Sequence, residues 1–419
     1  MKKILGLFYL SCGLIAASCS IENDMLFPEW TDGGFLVNKQ PVPEDIKHKF
    51  EGVYVVEKGN DRFGDTVVVK WNREHLGIHA GVHVAFFDLE SGAEDSSLYF
   101  QGYWRYQNVT TTGKAQLLMT KDQGGRFIYG DQTVTDTVVR LSGKIGEDNN
   151  TPSEEVQFRR VRGFSAKALS RKFYIISHHG SGSAPDYLPA SENTWEIAKI
   201  IERYGANAIE IDIRPTKEGI PILYHDSGIN WRLAQKGPLV GAVEDYTLKQ
   251  LQTSVVLLHG ERIPTLEQFL DTVIMGTTLE FVYVDMKPTI EPFMQNAADV
   301  VTAALAKAKS VGRDVYICLA ITTEDLYNKF ITLPNYENIS SMCELSLDKL
   351  EKTNGKFWSP RWTNGFNYAD VDAVHAMGKL AVTWTVNLPG PMQEVVNGGK
   401  MDGVLTDFTT LASYYFYKQ

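Results

Sequence analysis

From residue 171 onward, short apolar runs recur, and most end in residues able to do chemistry. The run 173–177 leads into His178, His179 and Gly180. The run 208–211 contains Glu210 and ends on Asp212, and 221–224 precedes His225 and Asp226. Further on, 281–284 is followed by Asp285 and Lys287, 382–386 contains Trp384 and precedes Asn387, and 403–406 precedes Asp407. Helix-period segments lie between the runs. Asn193 opens one as a cap with Glu196 three residues later, Ile197, Ile200, Ile201 and Tyr204 recur at helical spacing, and Gly205 ends it. Residues 265–274 and 291–309 predict two more helices. Buried strands alternating with helices predict βαβ units, and hence a TIM-type (β/α)8 barrel over 171–419 with its chemistry where the strands end. About nine runs compete for eight places, with 339–345 and 356–359 rivals for one of them.

Residues 46–165 have a different texture. Alternating, β-branched segments at 52–56, 66–71, 82–87, 97–101, 115–119, 137–141 and 155–158 are separated by turn formers such as Gly59-Asn60-Asp61 and Gly124-Gly125. This predicts a smaller all-β sandwich or barrel of about seven or eight strands. Trp104 and Tyr106 offer a possible glycan surface, although aromatic rings in strands more often pack a core.

The N-terminus reads as an export signal. Lys2 and Lys3 precede an apolar stretch, and Ala16-Ala17-Ser18-Cys19 closes it. This resembles a bacterial lipoprotein signal, which implies cleavage after residue 18, lipidation of Cys19, a tether over 19–45 and export to a bacterial membrane face, periplasmic or at the cell surface. Loss of Lys2 and Lys3 takes the net charge from −10 to −12. Such a charge gives no basic field for nucleic acid and no electrostatic attraction to anionic lipid, so membrane association is expected by the lipid anchor only. Cys318 and Cys343 sit in apolar runs without nearby histidine, as buried hydrophobes do.

The strand-end residues form a coherent set. Glu210 and Asp212 are two apart on a strand, so both leave the same face, and buried together they repel unless a cation lies between them. Hard oxygen ligands point to Mg²⁺ or Ca²⁺. Asp285 supplies a third carboxylate, Lys287 a positive charge for phosphate, and His178 and His225 an acid–base pair. Trp384 is a candidate wall of the pocket, and Asp407 a partner for His178.

In order along 171–416, the chain carries His178/Gly180, Glu192-Asn193-Thr194, Glu210/Asp212, Thr216-Lys217-Glu218-Gly219 and His225-Asp226. Pro264-Thr265-Leu266-Glu267, Asp285/Lys287, Trp384 to Asn387 and Asp402 to Asp407 follow. This series resembles the glycerophosphodiester phosphodiesterase family. The resemblance implies a TIM barrel, one divalent metal held by Glu210 and Asp212, His178 and His225 as catalytic pair, and hydrolysis of glycerophosphodiesters to glycerol 3-phosphate and an alcohol. Two positions depart from the family pattern. His179 replaces the arginine of His-Arg-Gly, which places an imidazole at a substrate-binding position, and Asp285 replaces a glutamate, as it does in the related sphingomyelinase D enzymes. Two other readings stand beside this one: phospholipase D-like cleavage of lysolipid or sphingolipid head groups, and a non-catalytic surface lipoprotein that binds glycan or phosphate.

Overall fold

The computed structural model describes residues 26–31, 33–130, 139–180, 182, 188–287 and 292–419. Cys19 and the signal segment lie outside the described residues. Eight antiparallel strands come first: β1 (Gly52–Lys58), β2 (Thr66–Asn72), β3 (His75–Ala80), β4 (Ala85–Glu94), β5 (Ser97–Tyr106), β6 (Thr112–Met119), β7 (Arg140–Ile145) and β8 (Glu154–Arg162). They close as a barrel in sequence order, with β8 pairing back onto β1. Inward residues such as Tyr54, Val67, Leu76, Phe87, Phe100, Leu117 and Phe158 fill it. Trp104 belongs to that core, fully buried with Nε1 donating to Gly146 O at 3.0 Å, and Tyr106 is 9% exposed. These rings are therefore packing residues and present no glycan platform. Residues in the stretch expected as a tether lie against this barrel: Trp30 Nε1 donates to Gly102 O, and Gln40 bridges Ala93.

The second barrel is parallel. Its staves are β9 (Tyr174–Ser177) and β10 (Ala208–Pro215), then, after an excursion, β14 (Phe281–Met286), β15 (Tyr316–Ile321), β16 (Ser341–Cys343), β17 (Phe357–Trp358), β18 (Leu380–Thr383) and β19 (Gly403–Thr406). The last stave pairs with β9 and β9 with β10, so eight parallel strands close the expected (β/α)8 barrel. Both rival runs at 339–345 and 356–359 supply staves. The surplus run is β11 (Pro221–Leu223), which pairs antiparallel with β10. Only Thr216 to Ile220 join the two strands, too few for a parallel crossover. The excursion continues with a hairpin of β12 (Gly228–Ile229) and β13 (Gly241–Ala242).

Alternation along the parallel staves decides what faces the barrel axis. Tyr174, Ile176, Ala208, Phe281, Tyr283, Cys318, Ala320, Met342, Phe357, Val382 and Leu405 form the interior cluster. Phe281 stacks on Phe357 with centroids 4.2 Å apart and planes 6° from parallel. Outside the staves, helix Leu266–Gly276 turns Phe269, Leu270 and Val273 inward from a Thr265–Gln268 capping box. The helix Trp195–Ile200 is capped one residue later than expected, by Thr194, whose hydroxyl accepts from Ile197 N. Among the described residues no helix is long and apolar enough to cross a membrane.

The two barrels are packed together. Phe86 of the first meets Tyr204 of the second edge-on at 5.2 Å, and Tyr103 and Tyr204 share a hydroxyl hydrogen bond. His79 is buried against Ser413 of the C-terminal helix Thr409–Lys418. Gln107 reaches across, its Nε2 donating to Asp407 O and its Oε1 accepting from Thr410 Oγ1.

Candidate active site

The register of β10 against β14 sets Asp212 directly beside Asp285. Glu210, two residues earlier on the same face, completes a trio whose carboxylate oxygens lie within 4.8 Å of one another. Acids about seventy-five positions apart thus meet at the mouth of one cylinder. Glu210 is 3% exposed and Asp212 fully buried. Lys287, one stave-step above Asp285, places Nζ 2.7 Å from Asp285 Oδ2 and 2.7 Å from Asp212 Oδ1. That buried Asp212 oxygen has the ammonium beside it but makes no hydrogen bond among the described residues. Burial and the Asp212 charge push Glu210 well above the usual carboxylate range, against the pull of His179 and Lys287. For Asp212 burial acts upward too, but His179, Lys287 and His225 outweigh it and hold the group below its ordinary value. Three hard-oxygen donors around an under-served buried oxygen fit a divalent cation.

Two histidine–carboxylate pairs flank the trio. His178 leaves the end of β9 and shares Nδ1 with Asp407 Oδ1 at 2.6 Å. Asn387 locks that carboxylate, its Nδ2 donating to Asp407 Oδ2 at 2.6 Å and its Oδ1 accepting from Asp407 N. His225 shares Nδ1 with Asp226 Oδ1, also at 2.6 Å. In each pair the carboxylate holds the ring through Nδ1, the arrangement by which a carboxylate orients a catalytic imidazole. Burial and the neighbouring His179 charge lower the His178 pKa, with Asp407 opposing.

His179 sits between them, its ring centroid 3.7 Å from His178 and 4.8 Å from His225. Its backbone is left-handed at φ 53°, and its N–H donates to Glu210 Oε2 at 2.8 Å. Gly180 follows at φ 81°, where a Cβ would fall 2.6 Å from Ile197 Cγ2, so this turn admits only glycine. The His179 ring is buried among carboxylates, 3.6 Å from Glu192 and Asp212 and 3.8 Å from Glu210. Burial disfavours its charge, but Asp212, Glu210 and Glu192 push its pKa up to about 10.

Several participants escaped the sequence reading. Asn193, taken as a helix cap, instead turns inward at φ 58° and clamps Asp212: Nδ2 donates to Oδ2 at 2.9 Å, and Oδ1 accepts from the Asp212 amide. Arg232, beyond β12, ties Asp226 and Glu192 together and lies 3.2 Å from His225 Nδ1. No periodicity marks such a residue; its one sequence signal is a charge following His225 within the same loop. Trp384 closes the opposite side, Nε1 donating to Ser359 O.

The glycerophosphoryl diester phosphodiesterase family profile matches residues 178–411, more than half of the chain. This chain belongs to that family. A glycerophosphodiester phosphodiesterase of Bacillus subtilis (strain 168) is 24% identical over 267 residues, which cover 57% of this chain and 85% of the relative. A second protein of that organism, YhdW, is 36% identical over 104 residues, and the match spans only 39% of its length. Among solved structures, an Oleispira antarctica phosphodiesterase in complex with the product sn-glycerol-3-phosphate is 19% identical, covering 58% of this chain and 97% of that one at TM-score 0.43. The profile of glycerophosphoryl diester phosphodiesterases, which are phosphoric diester hydrolases, begins at His178 and ends in the C-terminal helix. It leaves the antiparallel barrel outside.

Proposed function

We propose that this protein hydrolyses glycerophosphodiesters to glycerol 3-phosphate and an alcohol at the mouth of the parallel barrel. One observation carries the reading: the Glu210–Asp212–Asp285 trio lies between two carboxylate-oriented histidines, with family membership supplying the reaction class. Glu210, Asp212 and Asp285 are suited to hold one divalent cation, Mg²⁺ or Ca²⁺. When bound, it would supply Lewis-acid polarisation of the phosphoryl oxygen. Lys287 is placed to offset charge on the diester from a semi-buried position. His178, kept neutral by burial, is suited to accept the proton of the attacking oxygen, and His225 to donate one to the departing alcohol. His179, buried in the carboxylate cluster, would meet phosphate with an imidazole where the family arginine offers a fork.

The test uses the full mature chain with glycerophosphocholine, glycerophosphoethanolamine and glycerophosphoglycerol. Release of glycerol 3-phosphate that stops with EDTA and returns with Mg²⁺ or Ca²⁺ is expected; inertness toward all three overturns the reading. Export and lipidation at Cys19 are part of the same proposal, read by loss of lipid labelling in Cys19→Ser. A second reading, cleavage of lysolipid head groups, draws on Trp231. It is 79% exposed and adjoins Arg232, which bonds the His225 partner Asp226, so one large apolar ring stands near the site.

A further inference from the structure

The metal-type carboxylates and the histidines occupy one side of the barrel mouth, on or just after β9, β10, β11 and β14. The other side, at the ends of β16 and β17, is polar in a different way. Met342 and Phe357 face the axis, so by strand alternation Glu344, Ser359 and Arg361 continue the inward rows toward the mouth. Glu344 accepts a hydrogen bond from Tyr283, the stave residue just below Asp285. The residue is partly exposed, and Asp285, Lys287 and Arg361 act on its carboxyl electrostatically. In the β16–β17 register Cys343 faces Trp358, which sets Glu344 beside Ser359, with Arg361 two residues further along the same row. Arg361 is exposed and lies over the Trp384 ring, Cζ 5.1 Å from the centroid. Among the described residues no carboxylate forms an ion pair with it. Ser359 Oγ, fully buried below it, has no hydrogen-bond partner among the described residues.

The geometry points to a subsite for the alcohol half of the diester at Glu344 and Arg361, built for a hydroxyl-rich alcohol. The inference rests on the diesterase reading and adds the class of leaving group. With the phosphate over the Glu210 trio, one ester arm must extend across the mouth to this wall. A carboxyl beside a forked donor pairs with neighbouring hydroxyls, one accepting and the other donating. A quaternary ammonium would want the Trp384 face, and Arg361 already holds a positive charge there. An acyl chain would leave both polar groups unpaired.

Arg361→Ala is the decisive variant, because the side chain is exposed and its loss disturbs no core. Glu344→Gln is the second, keeping shape while exchanging the carboxyl for an amide. The wild type should show higher kcat/KM for glycerophosphoglycerol and glycerophosphoinositol than for glycerophosphocholine. Arg361→Ala should cut that ratio by about 10- to 100-fold, the loss of one charge-assisted hydrogen bond. A ratio unchanged in both variants, or a wild type that prefers the choline ester, overturns the subsite while leaving the diesterase reading intact. If the wild type cleaves no diester, the diesterase reading falls and calorimetric binding decides the subsite. Weaker binding of glycerophosphoinositol to Arg361→Ala than to wild type then supports it, and equal binding refutes it.

Discussion

Exchanging His179 for glutamine should destabilise the metal-free protein by about 3–5 kcal/mol near pH 6. The ring is 4% exposed and lies 3.6–3.8 Å from the carboxylates of Glu192, Asp212 and Glu210. Burial works against its charge, yet those carboxylates raise its pKa from 6.5 to about 10. At ~1.4 kcal/mol per pH unit, that displacement corresponds to about 5 kcal/mol. Breaking a buried ion pair costs about 3–5 kcal/mol by a separate route, and the two agree. The sign follows from a folded pKa above the unfolded one. The stabilisation is complete below pH 6.5, falls as pH rises, and is gone above about pH 10. Urea unfolding midpoints of wild type and His179→Gln in EDTA, taken across pH 6 to 10, read this directly. The gap should close with rising pH. It should also narrow when Mg²⁺ or Ca²⁺ is added at pH 6, because a cation among Glu210, Asp212 and Asp285 takes over the neutralising role. Equal midpoints at pH 6 in EDTA would refute the argument.

Asp407→Asn should lower kcat by about 10²- to 10⁴-fold, since His178 loses the acceptor that orients its ring; circular dichroism matching the wild type separates this from misfolding. Gln107→Ala removes the hydrogen bonds from Gln107 to Asp407 O and from Thr410 Oγ1 to Gln107. A loss of about 1–3 kcal/mol in chemical denaturation is expected, and an unshifted midpoint would count against it. Thr265→Ala removes the cap of helix Leu266–Gly276 and should cost about 1 kcal/mol by the same measurement, with kcat unaltered. Trp231→Ala should reduce turnover of micellar lysolipid more than that of glycerophosphocholine; equal effects on the two remove the support for the lysolipid reading.

The parallel barrel was legible because each stave is a short buried run, and because chemistry collects where such runs stop. What that rule lacks is direction. Residues 221–223 look like any stave in composition, and only the brevity of the link from β10 shows that they return antiparallel. The trio was legible for the same reason: spacing of two on a strand puts Glu210 and Asp212 on one face, although only register places Asp285 beside them. Asn193 misled because a cap and an inward clamp use the same amide chemistry, and tertiary demand from Asp212 decided between them. Glu344 did carry the signal, an apolar run ending in an acid, but no neighbouring motif drew attention to it. Arg232 carried almost none, since a charged loop residue finds its role only when the excursion folds back over Glu192 and Asp226.

Gln107 belongs to the N-terminal barrel, yet its amide holds the peptide of the residue that orients His178. The catalytic barrel is therefore unfinished by its own chain segment: the scaffold behind one of its two histidines is borrowed from sequence some three hundred positions upstream. Excising residues 171–419 as a minimal enzyme would uncover Tyr204 and Ser413 and release that peptide together.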